Sequence, residues 1–455
     1  MAFNKDFMWG AATSAYQIEG AAFEDDKSLS IWDVFTATDG KIKHSDNGNI
    51  ACDHYHRYKE DVALMEDLKL KAYRFSFSWA RVFDFEKNRP NEKGLDFYRR
   101  LVDELLEKGI TPFATLFHWD LPYALYEKGG FLNRNIVDSF SEYAALISKN
   151  FSDTIENYFT FNEPQCITTL GYNTGVHAPG LHVSRKEIMT MSHNILLAHG
   201  QAVRALRANA KRDIKAGIAQ TSSAHYPLTD SAQDIKACEM AQLDITDKAT
   251  GDLDSFCFSY WNDPIYLGDY PKQTYDLFEK DMPKILTDDF KIISEKVDYH
   301  AHNIYNGRIV KATDDGSYEF VARKPGFART ALDWPVTPKS LYNLPLLISN
   351  RYNIPLYITE NGTSCTDAVC LDGKIHDPER IDFIQRYLRE LSRASDDGAD
   401  IRGYFYWSLL DNFEWHSGYT ERLGLVHIDY ETQKRTKKDS FNWYRDVILS
   451  NGENL

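Results

Sequence analysis

The sequence predicts an α/β fold, a single (β/α)8 barrel with extended loops at the carboxyl ends of its strands. Three observations lead there. Short runs rich in β-branched and aromatic residues recur along the chain, and eight of them can be named. Amphipathic helical stretches fill the gaps, as parallel strands with crossover helices require. No low-complexity segment or Pro/Ser-rich hinge divides the 455 residues, and the Gly129-Gly130 pair reads as a local turn, so residues 1–455 are expected to form one domain.

Taken in order, the runs are Phe7–Ala12, Ala72–Phe77, Thr111–Phe117, Asn157–Asn162, Ile214–Ala219, Val297–Asn303, Pro355–Glu360 and Arg402–Trp407. The stretch "YHRYKEDVALMEDLKL" precedes the second run, "GLDFYRRLVDELLEKG" the third and "NIVDSFSEYAALISKNF" the fourth, each with one apolar face. The segment from Tyr226 to Ile293 is too long for one connection and is expected to carry extra helices.

Composition narrows the function. The chain is 43% hydrophobic, 26% charged and 14% aromatic, which gives a large core and rings to spare for lining a surface. A formal net charge of −15 leaves no basic face to release counterions from nucleic acid or to attract anionic lipid. The start, "MAFNKDFMWGAATSAYQIEG", has no basic segment followed by an apolar one, and no stretch approaches the roughly 18 apolar residues of a membrane span. A cytoplasmic location is expected, with no nucleic-acid or membrane partner. Six scattered cysteines match neither a disulfide framework nor a zinc pattern and are expected to be free thiols. A homo-oligomer is left open.

In a (β/α)8 barrel the chemistry stands where strands end. The run "IPLYITENG" poses this sharply, because an apolar strand ends on the carboxylate of Glu360, which needs a partner or a task there. The other strand ends supply Gln17, Arg74, His118 and Trp119, Asn162 and Glu163, Asn303 and Tyr305, and Trp407. Two carboxylates accompanied by amides, an imidazole, a guanidinium and indoles resemble a sugar site. Breaking a glycosidic bond with retention needs one carboxylate to attack the anomeric carbon and a protonated one to donate to the leaving oxygen.

Glu360 suits the nucleophile, with Arg74 and Tyr305 expected to lower its pKa. Glu163 suits the acid, kept protonated by burial and by the other carboxylate's charge, and Asn162 offers an amide to the sugar 2-hydroxyl. Trp407, Glu414 and Trp415 in "WSLLDNFEWHSGYTERLGL" would grip the sugar, the indoles through its C–H face and the carboxylate through two hydroxyls. Taken alone, each has a plainer reading: Arg74 as an ion-pair residue, Tyr305 and His118 as hydrogen-bonded core residues, Trp407 and Trp415 as packing. His54, His56, His300 and His302 raise a metal hypothesis that strand alternation and the "DHYH" helix start explain without one, so neither a metal nor a cofactor is expected.

These residues lie in motifs that resemble glycoside hydrolase family 1, the β-glucosidase family, along nearly the whole chain: "FMWGAATSAYQIEGA", "SIWDVF", "ACDHYHRYKEDVALM", "YRFSFSWARV", "LFHWDLP", "TFNEP", "GVHAPG", "NILLAHGQAVRA", "PLYITENG" and "WSLLDNFEW". The resemblance implies Glu163 as acid/base and Glu360 as nucleophile. It implies that Gln17, His118, Trp119, Asn162, Glu414 and Trp415 bond sugar hydroxyls, that Trp407 is the stacking platform, that Arg74, Asn303 and Tyr305 surround the nucleophile, and that Trp334 in "ALDWPVTP" is an aglycone-side indole. The implied substrate is a small β-glycoside such as cellobiose, a short β-glucooligosaccharide, or an aryl or alkyl β-glucoside. Two departures stand out: Leu423 in "ERLGL" replaces a usually aromatic residue near the sugar C6 group, and "DYHAHNIYN" carries histidines where the family commonly has small or aliphatic residues. A 6-phospho-β-glycosidase and a non-catalytic carbohydrate-binding barrel are the alternatives.

Overall fold

The computed structural model describes residues 3–455. Eight parallel strands close into a barrel in sequential order: β1 (Met8–Ala12), β2 (Ala72–Ser76), β3 (Thr111–Phe117), β4 (Asn157–Asn162), β5 (Lys215–Thr221), β6 (His300–Asn303), β7 (Leu356–Asn361) and β8 (Ile401–Trp407), with β8 pairing back onto β1 from Met8↔Gly403 to Ala12↔Trp407. All eight expected runs are strands. The fifth extends two residues further than expected, to Thr221, and the sixth is shorter, beginning at His300 rather than Val297.

The strands are buried on both faces, which is why they read as near-continuous apolar runs. Inside the barrel Ala12, Ala72, Ala219 and Ala301 alternate with Phe113, Phe159, Tyr299 and Phe405, small against large, so the interior is filled rather than open. Each buried phenylalanine contributes about 2 kcal/mol of apolar transfer. Gly10 lies under this layer, where an added Cβ would come within 2.4 Å of the Phe405 ring.

Helices pack outside. They are α1 (His54–Asp67), α2 (Glu92–Glu107), α3 (Ile136–Phe151), α4 (Arg185–Ala208), α5 (Ala232–Leu243), α6 (Phe258–Tyr266), α7 (Ser340–Tyr352), α8 (Pro378–Asp396) and α9 (Asp439–Leu449). In α2 the buried Leu95, Tyr98, Leu101, Val102 and Leu105 recur at helical spacing and face the strands. Ser184 starts α4 with a capping box, its hydroxyl accepting from the Glu187 amide while the Glu187 carboxylate accepts from its own. Between β5 and β6 the chain forms α5, α6 and two shorter helices, Lys272–Phe278 and Asp289–Ile293, as the length of that segment required. Among the described residues no helix is long and apolar enough to cross a membrane.

Candidate active site

The carboxyl ends of the strands surround a cavity of about 490 Å³. Its lining includes His118, Trp119, Asn162, Glu163, Tyr305, Trp334, Glu360, Trp407, Glu414 and Trp415, so the two glutamates separated by almost two hundred positions in the chain face one space. Arg74 and Asn303 stand behind them as a supporting layer. Gln17 is also set back and wholly buried: its amide donates to the Phe413 carbonyl at 2.9 Å and to Asn412 Oδ1 at 3.1 Å, with Glu414 Oε2 at 3.5 Å, and its oxygen accepts from Ser14.

Glu360 leaves β7 into a strong donor set. Arg74 Nη1 donates to Oε1 at 2.6 Å and the Tyr305 hydroxyl to Oε2 at 2.8 Å. Arg74 is itself fixed: its Nη2 donates to Asn162 Oδ1 at 2.6 Å, its Nε to Thr115, and its guanidinium lies over the Phe159 ring. Glu163 follows β4 and has weaker donors, the Asn303 amide at 2.8 Å and the Cys166 thiol at 3.0 Å. Asn303 Nδ2 also donates to Asn162 Oδ1, so hydrogen bonds run from Glu163 through Asn303, Asn162 and Arg74 to Glu360.

Burial and the Glu360 charge push Glu163 up to about 7. Burial also moves Glu360 upward, against the pull of Arg74 and Tyr305. Arg74 and Tyr305 lower it as expected, but these donors offset desolvation without overcoming it. They still decide which member of the pair ionises first, because a guanidinium and a phenol stabilise a carboxylate more than an amide and a thiol do. Burial, together with the charges of Glu360, Glu421 and Glu163, pushes Glu414 to about 8, so it carries a proton at neutral pH where the sequence reading had a carboxylate.

Aromatic rings form the rest of the wall. His118 lies stacked between Trp407 and Trp415 with ring centres 5.9 and 6.0 Å apart, accepts from the Asn162 amide at 3.1 Å, and is held neutral by burial and the Arg74 charge. Trp119 donates from its indole to the Asn162 carbonyl, and Trp334 packs edge-on against Tyr305. Trp119, Glu163 and Trp415 all have left-handed backbone, φ 75°, 43° and 48°, a strain of about 1 kcal/mol or more each that collects at this cavity. Leu423 lines it too.

Sequence reading missed several cavity residues. Cys166 reaches Glu163 because it stands three residues on, in the turn that Glu163 begins, a spacing visible in "NEPQC". His177, from "GVHAPG", lies 3.2 Å from His416 at the cavity wall. Ser222 follows β5, where no motif drew attention. His300 and His302 bond each other, Tyr266 and Ser222, and the six cysteines are unpaired.

Residues 1–453 match the profile described as Glycosyl hydrolase family 1. "Beta-glucosidase A" of Thermotoga maritima is 42% identical over 455 residues, covering 99% of this chain and 98% of that protein. "Beta-glucosidase A" of Acetivibrio thermocellus is also 42% identical and covers 99% of each. The Thermotoga maritima β-glucosidase structure with glucoimidazole superposes with a TM-score of 0.89 at 42% identity, covering 99% of both chains. A full-length profile match, whole-chain relatives and the same closed barrel lead to one statement: this chain belongs to glycosyl hydrolase family 1.

Proposed function

We propose that the protein is a retaining β-glucosidase that removes terminal β-D-glucosyl residues from small β-glucosides by double displacement, with residues 1–455 acting as one catalytic unit. The observation that carries this is the inequality of the two cavity glutamates: Glu360 is held by Arg74 and Tyr305, and Glu163 only by Asn303 and Cys166. Glu360 is then the carboxylate that attacks the anomeric carbon, and Glu163 donates its proton to the departing oxygen. Once Glu163 has given up its proton and the sugar esterifies Glu360, the Glu360 charge is gone and the Glu163 pKa falls, so Glu163 stays ionised and can accept a proton from the water that releases the sugar.

Arg74, Asn303 and Tyr305 are assigned to hold the nucleophile and its neighbours, and Asn162 to meet the sugar 2-hydroxyl. His118, Trp119, Glu414 and Trp415 bond the other hydroxyls, Gln17 steadies Glu414, Trp407 supports the ring, and Trp334 stands on the leaving-group side. The names of the relatives and the sugar-mimicking ligand of the superposed structure support a small β-glucoside as substrate. None of the cavity-lining residues is Lys or Arg, so no cation stands at the cavity wall to neutralise a 6-phosphate, which favours the unphosphorylated sugar.

A panel of 4-nitrophenyl glycosides, with the β-glucoside beside its 6-phosphate, tests the reading. The expected result is highest kcat/KM on the β-glucoside; a clear preference for the phosphate, or no turnover of any member, contradicts it.

A further inference from the structure

Behind the cavity wall a line of polar groups leads away from Ser222. Ser222 Oγ lies 3.1 Å from His302 Nε2, His302 Nδ1 lies 3.0 Å from His300 Nε2, and His300 Nδ1 lies 2.7 Å from the Tyr266 hydroxyl. His300 and His302 are two apart on β6, so their side chains share a face, and both are wholly buried. Tyr266 closes α6 on the outside of the barrel, its ring stacked on Tyr352. Hydrolysis as described above uses none of these four groups.

We propose that Ser222 contacts substrate, donating its hydroxyl hydrogen to an oxygen of a sugar leaving group, and that Tyr266, His300 and His302 are positioning residues that hold the hydroxyl in that orientation. The inference rests on the β-glucosidase reading.

A neutral imidazole has one donor and one acceptor nitrogen, so the line has two consistent polarities. In one, Tyr266 donates to His300, His300 to His302 and His302 to Ser222, which leaves the serine hydrogen free to point into the cavity. In the other every bond is reversed, His300 must donate to a phenol oxygen, and the phenol hydrogen needs another acceptor. A phenol is a better donor than acceptor and an imidazole lone pair is a strong acceptor, so the first polarity prevails. Burial keeps both rings neutral, with His300 pushed down to about 3 and His302 well below its usual range, so the polarity persists around neutral pH.

The direction of the contact follows from the barrel. Ser222 comes just after β5, the strand beside β4, and the Glu163 amide donates to Ala219 of β5 at 2.8 Å. It therefore stands on the side where the proposed acid meets the departing group. A second sugar offers ether and hydroxyl oxygens there to accept a hydrogen bond, which an apolar aryl group does not. The device favours β-linked saccharides over aryl glucosides.

The test compares kcat/KM for cellobiose with that for 4-nitrophenyl β-glucoside in wild type, Ser222→Ala, Tyr266→Phe and the double variant. Ser222→Ala is expected to lower the cellobiose-to-aryl ratio about three- to tenfold, the worth of one neutral hydrogen bond, mainly through KM for cellobiose. Tyr266→Phe should lower the ratio about twofold alone and not at all in the Ser222→Ala background, because it acts through that hydroxyl. An unchanged ratio in Ser222→Ala, or effects of the two substitutions that multiply, overturns the inference while leaving the enzyme's activity established. Wild-type protein that hydrolyses neither substrate refutes the β-glucosidase reading instead and takes this inference with it.

Discussion

Two buried clusters of charge, both reached by the chain that follows β8, have opposite characters. Beneath the loops, Asp367, Asp377 and Asp411 meet Arg380, Arg422 and Lys438, three acids with three bases, joined by bonds such as Arg422 Nη1 to Asp411 Oδ2 at 2.6 Å and Lys438 Nζ to Asp411 Oδ1 at 2.7 Å. At the cavity stand three acids, Glu163, Glu360 and Glu414, of which Glu360 forms an ion pair with the Arg74 guanidinium. In the first cluster burial opposes the charge of Asp411, but Lys438, Arg422 and Arg380 outweigh it and hold the carboxyl below its usual range. In the second, Glu163 and Glu414 rise to about 7 and about 8.

A balanced cluster satisfies its own charges and is costly to break; an unbalanced one stores protons that chemistry can use. Their pH responses therefore have opposite signs. The folded-state pKa of Asp411 is depressed, so its contribution is present above the unfolded value near 4 and is lost as pH falls through the folded value. The folded-state pKa of Glu163 is raised, so stability falls as pH rises from the unfolded value, about 4, through about 7.

Removing one acid from each cluster should separate the two most widely. Glu360→Ala should cut turnover by more than about a thousandfold while sugar affinity by calorimetry persists and Tm does not fall. Asp411→Asn should do the reverse, lowering stability by roughly 3–5 kcal/mol in denaturant titrations because Arg422 loses its carboxylate and buried Lys438 one of its two, while kcat per folded molecule is kept. Loss of stability in both variants would erase the contrast.

A smaller effect should come from Glu163→Gln. It should slow cellobiose far more than an activated aryl β-glucoside, whose leaving group needs little protonation, and it should raise Tm more at pH 8 than at pH 5. Equal losses on both substrates would remove the acid assignment. Smallest is the effect of Cys166→Ala: the thiol donates to Glu163, which also faces Glu360, Arg74 and Asn303, so its loss should move the alkaline limb of the kcat/KM profile, expected near pH 7, upward. A limb that stays put would mean the thiol does not tune the acid.

The barrel was legible because its strands are buried on both faces and its helices on one, so burial wrote its period directly into the chain. The sixth strand was read too long because Val297 and Tyr299 are buried residues that precede its ladder, Tyr299 packing into the barrel interior. At the site, strand ends located both glutamates, but a strand end does not say whether a side chain reaches the cavity or stands behind it. Gln17, Arg74 and Asn303 stand behind it. The net upward shift of Glu360 was hidden for a related reason, since donors are visible as residue types and desolvation is not. Cys166 and Ser222 escaped because their contacts depend on the local path of the chain, in the first case on the left-handed turn at Glu163.

The central claim, that Glu360 attacks while Glu163 protonates, is tested most directly by the configuration of the released sugar. Proton NMR of 4-nitrophenyl β-glucoside hydrolysis, read before mutarotation, should show β-glucose appearing first, since two displacements at one carbon restore the starting configuration. Initial release of α-glucose would mean a single displacement by water and would contradict the account.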